Sequence, residues 1–460
     1  MPERSPGAKL LLVGIVAFVL MAPLLMVYAL VNDRESQSHT AQAGITAGWG
    51  RAQVVSGPIL VVPFIEMTTE TATVDGEART RTVETRRELF LSPTSHRTSA
   101  RLTPQRRAYS IYSTVIYQAA LAGSARFELP EDLERFGVER AQLQLDQAEL
   151  RFGVSDPRGL QTDAEATAGG RPVDLQPGKG LASSSGNGFY GFLAWDGEPV
   201  TVEYTYGLRG SRSLALVPRG GNTQWEVTSP WPHPSFGGSF LPNSKSVSAK
   251  GFTARYGVPN LALGQALVTI GDPGAPVVQD PVNGVHSVPA PAANTGTGSH
   301  TASIGLIEPV DLYSQVDRSV KYGFLFIGFT FLAFLMFDVV GGARVATAEY
   351  LLTGAGLVLF FVLLLAFAEV IGFTWAYVVA SAAIIGLLTA YSAAVLGTRR
   401  RAAFIGALLV GLYALIYVLL SLEALSLVIG SVLLFVALAG VMYATRNVDW
   451  SSVGRTEAEV

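Results

Sequence analysis

Long apolar runs constrain this chain more than any other feature of its sequence. Residues 10–31 carry no charge, and a run of about 22 residues is enough helix to cross roughly 30 Å of hydrocarbon. Hydrophobic residues make up 49% of the chain and charged residues 15%, against roughly 25% charged in soluble domains. Further apolar runs, each long enough to span, lie at 322–340, 350–368, 373–396, 402–420 and 424–443. The sequence therefore predicts six transmembrane helices.

The first run has two interpretations, a retained anchor and a cleaved signal peptide. Ala41, Gln42 and Ala43 resemble a small-residue cleavage site. That site lies about ten residues beyond the apolar core, and the core is longer than the roughly 7–15 residues of a signal-peptide core. These two features favour an anchor that stays attached.

Arginines in the short connections predict the orientation of the spans. Arg399, Arg400 and Arg401 lie between the fourth and fifth runs, whereas the connections at Glu369 and Glu423 contain no Lys or Arg. Short cytoplasmic loops carry the excess of positive residues. We therefore expect both termini in the cytoplasm. The predicted parts are a cytoplasmic N-terminus (1–9), an anchor (10–31), an external domain (32–320), a five-helix bundle (321–444) and a cytoplasmic tail (445–460).

The external region has the period-two pattern of β-strands. In 200–206 the aliphatic and aromatic residues alternate with Thr and Glu, and 150–154 repeats the pattern. Residues 213–217 and 225–227, separated by glycines at 220 and 221, predict a hairpin. Many short strands with turn signals indicate an antiparallel, sandwich-like domain. The predicted fold class is thus a mixed membrane protein, a β-rich domain joined to an α-helical bundle.

Other segments of this region interrupt the strand pattern. A short helix is predicted at 131–136 after Pro130, and Asp75 with Gly76 marks a turn. Residues 157–188 are rich in Gly, Ala, Ser and Pro, which indicates a loop or a boundary between two lobes, and 273–300 resembles them. We expect up to two lobes.

Composition and motifs argue against several kinds of chemistry. The chain has no cysteine, and its net charge of -3 offers no basis for nucleic-acid binding. It lacks the zinc-protease, nucleophile-elbow, P-loop and dinucleotide motifs. Its five histidines never recur at the i, i+4 spacing of a helical metal pair. We therefore expect no catalytic residues, no cofactor and no metal.

The segment WPHPSF is the first candidate site. Pro230, Pro232 and Pro234 bias this segment towards extended geometry, which makes a stiff ridge. In the structural interpretation Trp231 and Phe236 pin the ridge over the core and His233 is a bystander. In a second interpretation Trp231, His233 and Phe236 form a recognition loop, since rigid loops with aromatic anchors suit binding. Catalysis or metal binding is the third.

The second candidate is a pair of carboxylates, Glu369 and Glu423, at the external tips of two helical hairpins. They are either interfacial groups solvated by water or a proton- or cation-handling site, because ionisable groups within a bilayer are often functional. In addition, two pairs of small residues, Ala382 with Gly386 and Ala403 with Ala407, have the spacing that permits close helix packing.

Several motifs taken in order resemble the CreD family of inner-membrane proteins. They are SGPILVVP (56–63), WPHPSF (231–236), PVDLY (309–313), KYGFLFIGFTF (321–331), EYLLTGAGLVLFFVLLLAFAE (349–369) and TRNVDW (445–450). The resemblance implies an anchor, a periplasmic domain and a C-terminal bundle. It also implies a role in cell-envelope integrity and the envelope stress response, and it supplies no catalytic residue.

From these observations we expect a multi-pass inner-membrane protein that supports or senses the envelope without catalysis. Its expected partners are the lipid bilayer and other envelope proteins or envelope precursors. A transporter or permease that uses the bundle is the alternative, and a membrane-bound hydrolase is third. A polar cluster buried in the bundle would favour transport, and a pocket joining His233 to carboxylates would favour an enzyme.

Overall fold

The computed structural model describes residues 6–74, 77–109, 112–272, 301–307, 312–339, 345–421 and 426–446. The chain divides into two compact units. The helical unit comprises Met1–Thr40 and Val310–Val460, and the β unit comprises Ala41–Pro309. The predicted turn at Asp75 and Gly76, the stretch 273–300 and Glu423 lie outside the described residues.

Apolar helices of membrane-spanning length dominate the helical unit. Among the described residues, five stretches are long and apolar enough to cross a bilayer, at Lys9–Ala47, Leu312–Asp338, Thr347–Ile371, Phe373–Val395 and Arg399–Leu420. A further apolar helix of 20 residues coincides with the run predicted at 424–443. The helices are α1 (Pro6–Ala47), α2 (Asn260–Leu263), α3 (Leu312–Lys321), α4 (Gly323–Val339), α5 (Thr347–Ile371), α6 (Phe373–Val395), α7 (Arg399–Ser421) and α8 (Ser426–Thr445).

Two of these helical stretches extend beyond the predicted apolar runs. The α1 helix continues past residue 31 to Ala47, because side chains one turn apart support its polar end. Gln37 Nε2 donates to Asp33 Oδ2 at 2.9 Å and His39 lies 3.8 Å from Glu35. Likewise α3 occupies residues that we assigned to the external domain. The predicted domain limits of 32 and 320 therefore differ by about ten residues from the limits of the β unit.

Within the helical unit α1 and α4 run antiparallel. Lys9 Nζ, near the start of α1, lies 2.8 Å from Asp338 Oδ1, near the end of α4. At the start of α4, a Cβ added to Gly323 would lie 2.8 Å from Leu24 Cδ1, further along α1. Close packing occurs where Gly354 meets Leu20. The small residues that we expected at helix contacts, Ala382, Gly386, Ala403 and Ala407, are instead exposed, because α6 and α7 turn other positions inward, among them Ala380 and Ile384 on α6 and Ala402 and Gly406 on α7.

Two sheets form the β unit. One sheet has nine strands in the order β13-β17-β11-β1-β5-β9-β8, with β2 paired to β1 and β16 to β2. The other has eight in the order β14-β15-β12-β3-β4-β10-β6-β7. The strands are β1 (Gln53–Val74), β2 (Glu77–Leu91), β3 (Ser95–Tyr109), β4 (Tyr112–Phe127), β5 (Ala148–Val154), β6 (Glu165–Ala168), β7 (Arg171–Pro172), β8 (Leu175–Pro177), β9 (Gly188–Leu193), β10 (Val200–Ser211), β11 (Ser213–Val217), β12 (Asn222–Ser229), β13 (Pro234–Gly238), β14 (Ser244–Ser248), β15 (Gly251–Pro259), β16 (Val268–Ile270) and β17 (Ala302–Leu306).

The pairing corrects three predictions. The sheets are not wholly antiparallel, because β1 pairs with β11 and β3 with β12 in parallel. The hairpin predicted from β11 to β12 is wrong: its two strands belong to different sheets, and Gly220 and Gly221 carry the chain between them. Residues 157–188 do not divide two lobes, because they contribute β6 to one sheet and β8 to the other.

A fourth prediction, the short helix, is corrected in kind. The helix expected at 131–136 is a single 3-10 turn at Leu133–Phe136.

One aromatic-rich core lies among the strands of both sheets. Alternation in β10 buries Val202, Tyr204 and Tyr206 and leaves the intervening polar residues exposed, as predicted. Phe152 of β5 stacks on Phe189 with 4.7 Å between ring centroids and meets Tyr204 edge-on at 5.2 Å. Burying each such side chain contributes roughly 1.5–3 kcal/mol. This packing, without disulfides, holds the β unit together.

Candidate functional site

The WPHPSF segment forms an edge of the nine-stranded sheet. Its C-terminal part is β13, which pairs antiparallel with β17 and places Phe236 opposite Ile304. The half-buried Trp231 packs against the core and donates from Nε1 to the carbonyl of Ile307 at 2.9 Å. The Arg106 guanidinium lies 5.6 Å from the Trp231 ring centroid. The segment is thus held in place at both ends, by the hydrogen bond and packing of Trp231 before its prolines and by the strand pairing of Phe236 after them.

The three candidate residues of this segment have different environments. The half-buried Phe236 meets Phe252 edge-on, with 5.9 Å between ring centroids. The Lys245 ammonium lies 5.1 Å from the Phe236 ring centroid. The side chain of His233 is exposed, and its backbone carbonyl accepts from the amide of Ile307 at 3.1 Å. The structure therefore brings Trp231 and Phe236 to the core and leaves His233 at the surface.

A polar groove begins at the residues that precede this segment. Its volume is about 410 Å³, within the range of small-molecule sites. Cations and hydroxyls predominate among the described residues that line it, and none of these residues is a carboxylate. The lining residues are Arg101, Thr228, Ser229, Pro230, Ser246, Ser248, Lys250, Gly251, Phe252 and Thr253.

The groove crosses four adjacent strands, and the pairing register of these strands aligns its residues. Arg101 of β3 pairs with Thr228 of β12. Thr228 pairs with Thr253 of β15, and Thr253 pairs with Ser246 of β14. Side chains directly opposite one another across adjacent strands project from the same face. A row of one guanidinium and three hydroxyls therefore crosses the outer face of the eight-stranded sheet, and Lys250 lies in the turn between β14 and β15.

A tight backbone contact shapes the end of the groove. Gly251 has φ of +130°, and a Cβ added there would lie 2.1 Å from the Ser229 carbonyl oxygen and 2.6 Å from the Pro230 Cα. Only glycine combines this φ with so close an approach. The turn into β15 is thereby held against the residues that lead into WPHPSF.

The positive charges of the groove are not neutralised within the described part of the chain. Neither the Arg101 guanidinium nor the Lys250 ammonium has a hydrogen bond or an ion pair there. The nearest acidic residue along β12, Glu226, already pairs with Arg255 at 3.1 Å. The groove therefore presents two cations and several hydroxyls to solvent.

A second charged cluster lies on the outer face of the nine-stranded sheet. Arg151 binds Glu88 through both terminal nitrogens and Glu149 at 2.7 Å, and Lys179 Nζ lies 2.5 Å from Glu149 Oε1. The Glu149 side chain is only 4% exposed. Burial opposes its ionisation, but hydrogen bonds from Lys179 and Arg151 prevail and lower the pKa of the Glu149 carboxyl. Because its charges are mutually satisfied, this cluster stabilises the sheet and offers no free group to a ligand.

Another ionisable group, His96, lies inside the core. Its Nε2 shares a hydrogen bond of 2.8 Å with Tyr204 Oη, and Nδ1 has no hydrogen-bond partner among the described residues. Burial disfavours the charged imidazolium and lowers the pKa of His96 to about 4. A neutral, enclosed imidazole of this kind has no access to a substrate.

In the helical unit the structure describes one of the two predicted carboxylates. Glu369 is half-buried near the end of α5, and its Oε1 accepts from the Tyr313 hydroxyl at 3.2 Å. Sequence analysis did not anticipate the Lys9–Asp338 ion pair, in which the Asp338 side chain is 3% exposed. Among the residues that the structure describes, no group of three or more His, Asp or Glu could hold a metal ion.

Sequence analysis also missed Arg101 and Lys250. A partial signal exists, because Arg97, Ser99, Arg101 and Thr103 alternate with buried residues along β3 and so mark a polar outer face. Only the parallel register of β3 and β12, from segments more than 100 residues apart, brings Arg101 to Thr228.

Comparison with known proteins gives a full-length match. The family model described as Inner membrane protein CreD matches residues 5–451. Inner membrane protein CreD of Escherichia coli (strain K12) is 30% identical over 442 residues, covering 94% of this chain and 91% of the relative.

Among solved structures, an M1 zinc metallopeptidase from Deinococcus radiodurans aligns with 47% of this chain and 42% of its own, at 11% identity and a TM-score of 0.20. A mutant of that enzyme aligns over the same shares at 10% identity and the same TM-score. A TM-score this low supports no conclusion about fold or activity. The full-length matches do decide the family: the chain belongs to the CreD family of inner membrane proteins.

Proposed function

We propose that this inner-membrane protein spans the bilayer six times, has both termini in the cytoplasm, and holds its β unit in the periplasm. There the β unit supports cell-envelope integrity by binding an envelope component rather than by catalysis. The observation that carries this proposal is the division of one CreD-family chain into an apolar helical unit and a separately packed β unit with a solvent-facing polar groove.

Charges in the helical unit support this topology. The antiparallel contact of α1 with α4 brings Lys9 and Asp338 to one end of the unit. With helices alternating in direction, the same end receives the start of α7 at Arg399 and the end of α8 near Arg446. Positive residues in short connections favour the cytoplasmic side. These charges therefore support a periplasmic location for the chain between α1 and α3.

The composition of the groove supports recognition over catalysis. Acid–base chemistry needs a group that can accept or donate a proton near neutral pH. Among the residues that the structure describes, the lining includes Arg, Lys, Ser and Thr but neither a histidine nor a carboxylate. His233 is exposed beside this region, and His96 is enclosed in the core. Cations and hydroxyls without a base are suited to holding a ligand.

Reporter fusions test the topology. A periplasm-active phosphatase fused after Ile307 should be active, and the same enzyme fused after Val460 should be inactive. A cytoplasm-active fluorescent reporter should give the reverse pattern. Equal activity of the phosphatase at the two sites would contradict the six-span topology.

A deletion strain tests the envelope role. Loss of the gene should raise uptake of a hydrophobic dye across the envelope, and expression of the full chain should restore the barrier. Dye uptake that is unchanged by deletion, both in growth medium and under cell-wall stress, would refute a supporting role.

A further inference from the structure

We propose that the groove between β3, β12, β15 and β14 is a binding site for a phosphorylated sugar. Arg101 and Lys250 would hold the phosphate, and the hydroxyls of Thr228, Thr253 and Ser246 would bind the sugar. The role of this site in the cell rests on the proposed envelope function. Binding of the ligand to the purified protein depends only on the geometry of the β unit.

The phosphate assignment follows from the unpaired cations. Arg101 and Lys250 line the same shallow groove, and no carboxylate among its described lining residues competes for them. Elsewhere on the same sheet face basic residues already have partners: Arg255 pairs with Glu226, and Arg97 donates to Gln224 at 3.2 Å. A guanidinium presents a planar fork of donors that matches phosphate oxygens, and an ammonium adds a point charge. The groove therefore has the unpaired positive charge and the hydrogen-bond donors that bind an anion.

The sugar assignment follows from the hydroxyls. Thr228, Thr253 and Ser246 follow one another on three adjacent strands, so they repeat at about the 4.8 Å strand spacing. Each hydroxyl both donates and accepts a hydrogen bond. Their natural complement is a ligand whose own groups do both, which describes the hydroxyls of a sugar. The groove volume of about 410 Å³ is also larger than a bare phosphate ion requires.

The groove adjoins the WPHPSF segment and is braced by it. Pro230 lines the groove directly, and Phe252, which also lines it, contacts Phe236 edge-on. The close approach of Gly251 to Ser229 and Pro230 fixes the adjoining turn. A rigid site loses less conformational entropy on binding than a mobile one. Phe236 thus packs on one lining residue, the Trp231 amide donates to the hydroxyl of another, Ser229, at 3.2 Å, and His233 lies outside the lining.

Calorimetric titration of the full chain tests the proposal. The protein, reconstituted in nanodiscs of phosphatidylcholine, is titrated with glucose 1-phosphate, with glucose and with inorganic phosphate. Glucose 1-phosphate should bind saturably and more tightly than either of its parts. Arg101→Gln and Lys250→Gln should each raise its Kd about tenfold or more, because each removes one charge-assisted contact.

Arg97→Gln is the matched control. It removes the same charge from the same strand and the same sheet face, outside the groove lining. Its Kd should stay within about twofold of the wild type, since exposed charges beyond direct contact are largely screened by salt. A Kd raised equally by Arg97→Gln and Arg101→Gln would overturn the site, as would the absence of saturable binding to the wild type.

Competition identifies the source of the phosphorylated sugar. Displacement by phosphatidylinositol vesicles, but not by phosphatidylcholine vesicles, would support the site and identify a lipid headgroup. Binding that persists in their presence would support it and identify a soluble or glycan-borne ligand. Equal displacement by a glutamate-rich peptide would overturn the assignment in favour of an acidic protein partner. The reporter fusions test location alone, so the two proposals can fail separately.

Discussion

His96 makes the stability of the β unit depend on pH. Its folded-state pKa of about 4 lies below the unfolded value of 6.5, so the unfolded chain binds the proton more readily between these values. The stability that the β unit has with a neutral His96 is therefore fully present above pH 6.5. It declines as the pH falls towards 4, because protonation then favours the unfolded chain. At pH 5 the loss is about 2 kcal/mol relative to pH 7.5.

Thermal unfolding at these two pH values tests this assignment. The melting temperature of the wild type should fall by about 5 °C at pH 5 through His96 alone. His96→Gln, whatever its absolute stability, should show a smaller fall. His233→Gln, on an exposed residue, should retain the wild-type difference. The assignment fails if His96→Gln keeps the full pH dependence.

Trp231 and His233 are adjacent to the same prolines but should differ in their contribution to stability. Trp231→Ala removes a half-buried indole and its hydrogen bond to Ile307, so we expect a loss of about 2 kcal/mol. His233→Ala should change stability by less than about 0.5 kcal/mol, because the side chain is exposed. Denaturant unfolding of the purified protein compares the two. A stable His233→Ala protein that fails to complement a deletion strain would instead make this loop a functional site.

Glu149 neutralises two cations at once. Glu149→Gln leaves the buried Arg151 with only Glu88 and frees Lys179 from its partner, so we expect a loss of about 3 kcal/mol. Because the folded pKa of Glu149 is lowered, its contribution is present at neutral pH and lost as the pH falls below the usual carboxyl range. Glu128→Gln, in an exposed pair with Arg126, should cost under about 1 kcal/mol. Equal losses at pH 7 would contradict a special role for Glu149.

The helices α1, α4 and α5 meet where Gly354 leaves no room for a side chain. A Cβ there would lie 2.0 Å from Leu20 Cδ1 and 2.9 Å from Phe331 Cζ. Gly354→Val should therefore destabilise the helical unit by about 1–3 kcal/mol through overpacking. Gly386→Val on α6 is the control, since no atom of the described residues lies within 4 Å of a Cβ at that position. Light scattering during heating in detergent measures both, and an equal effect of the two substitutions would contradict this packing.

Replacement of the two predicted carboxylates, Glu369 and Glu423, tests whether the protein as a whole transports ions. Glu369 has one described partner, the Tyr313 hydroxyl, and glutamine retains an acceptor oxygen for it. If Glu369 and Glu423 serve only as interfacial groups, then replacing both with Gln should leave membrane abundance and complementation of a deletion strain nearly unchanged. Loss of complementation at normal abundance would favour a proton- or cation-handling role.

The sequence by itself determined the class of the molecule and the type of its elements. Apolar length predicts the helices, because burial in hydrocarbon depends on composition along one stretch of chain. Alternation predicts strands such as β10, because a strand's two faces are encoded by neighbouring residues. The short sequence of Trp231 and the prolines around it likewise predicts a rigid segment.

The tertiary structure alone decided which distant segments meet. The two glycines before β12 are compatible with a hairpin and with a crossing between sheets, and only the pairing of β11 with β1 selects the crossing. Arg101 and Lys250 look like ordinary surface residues until β3 and β12 pair in parallel and β14 folds onto β15. Register between segments far apart in sequence depends on the packing of the whole core. For that reason the groove, unlike the helices, could not be predicted from local pattern.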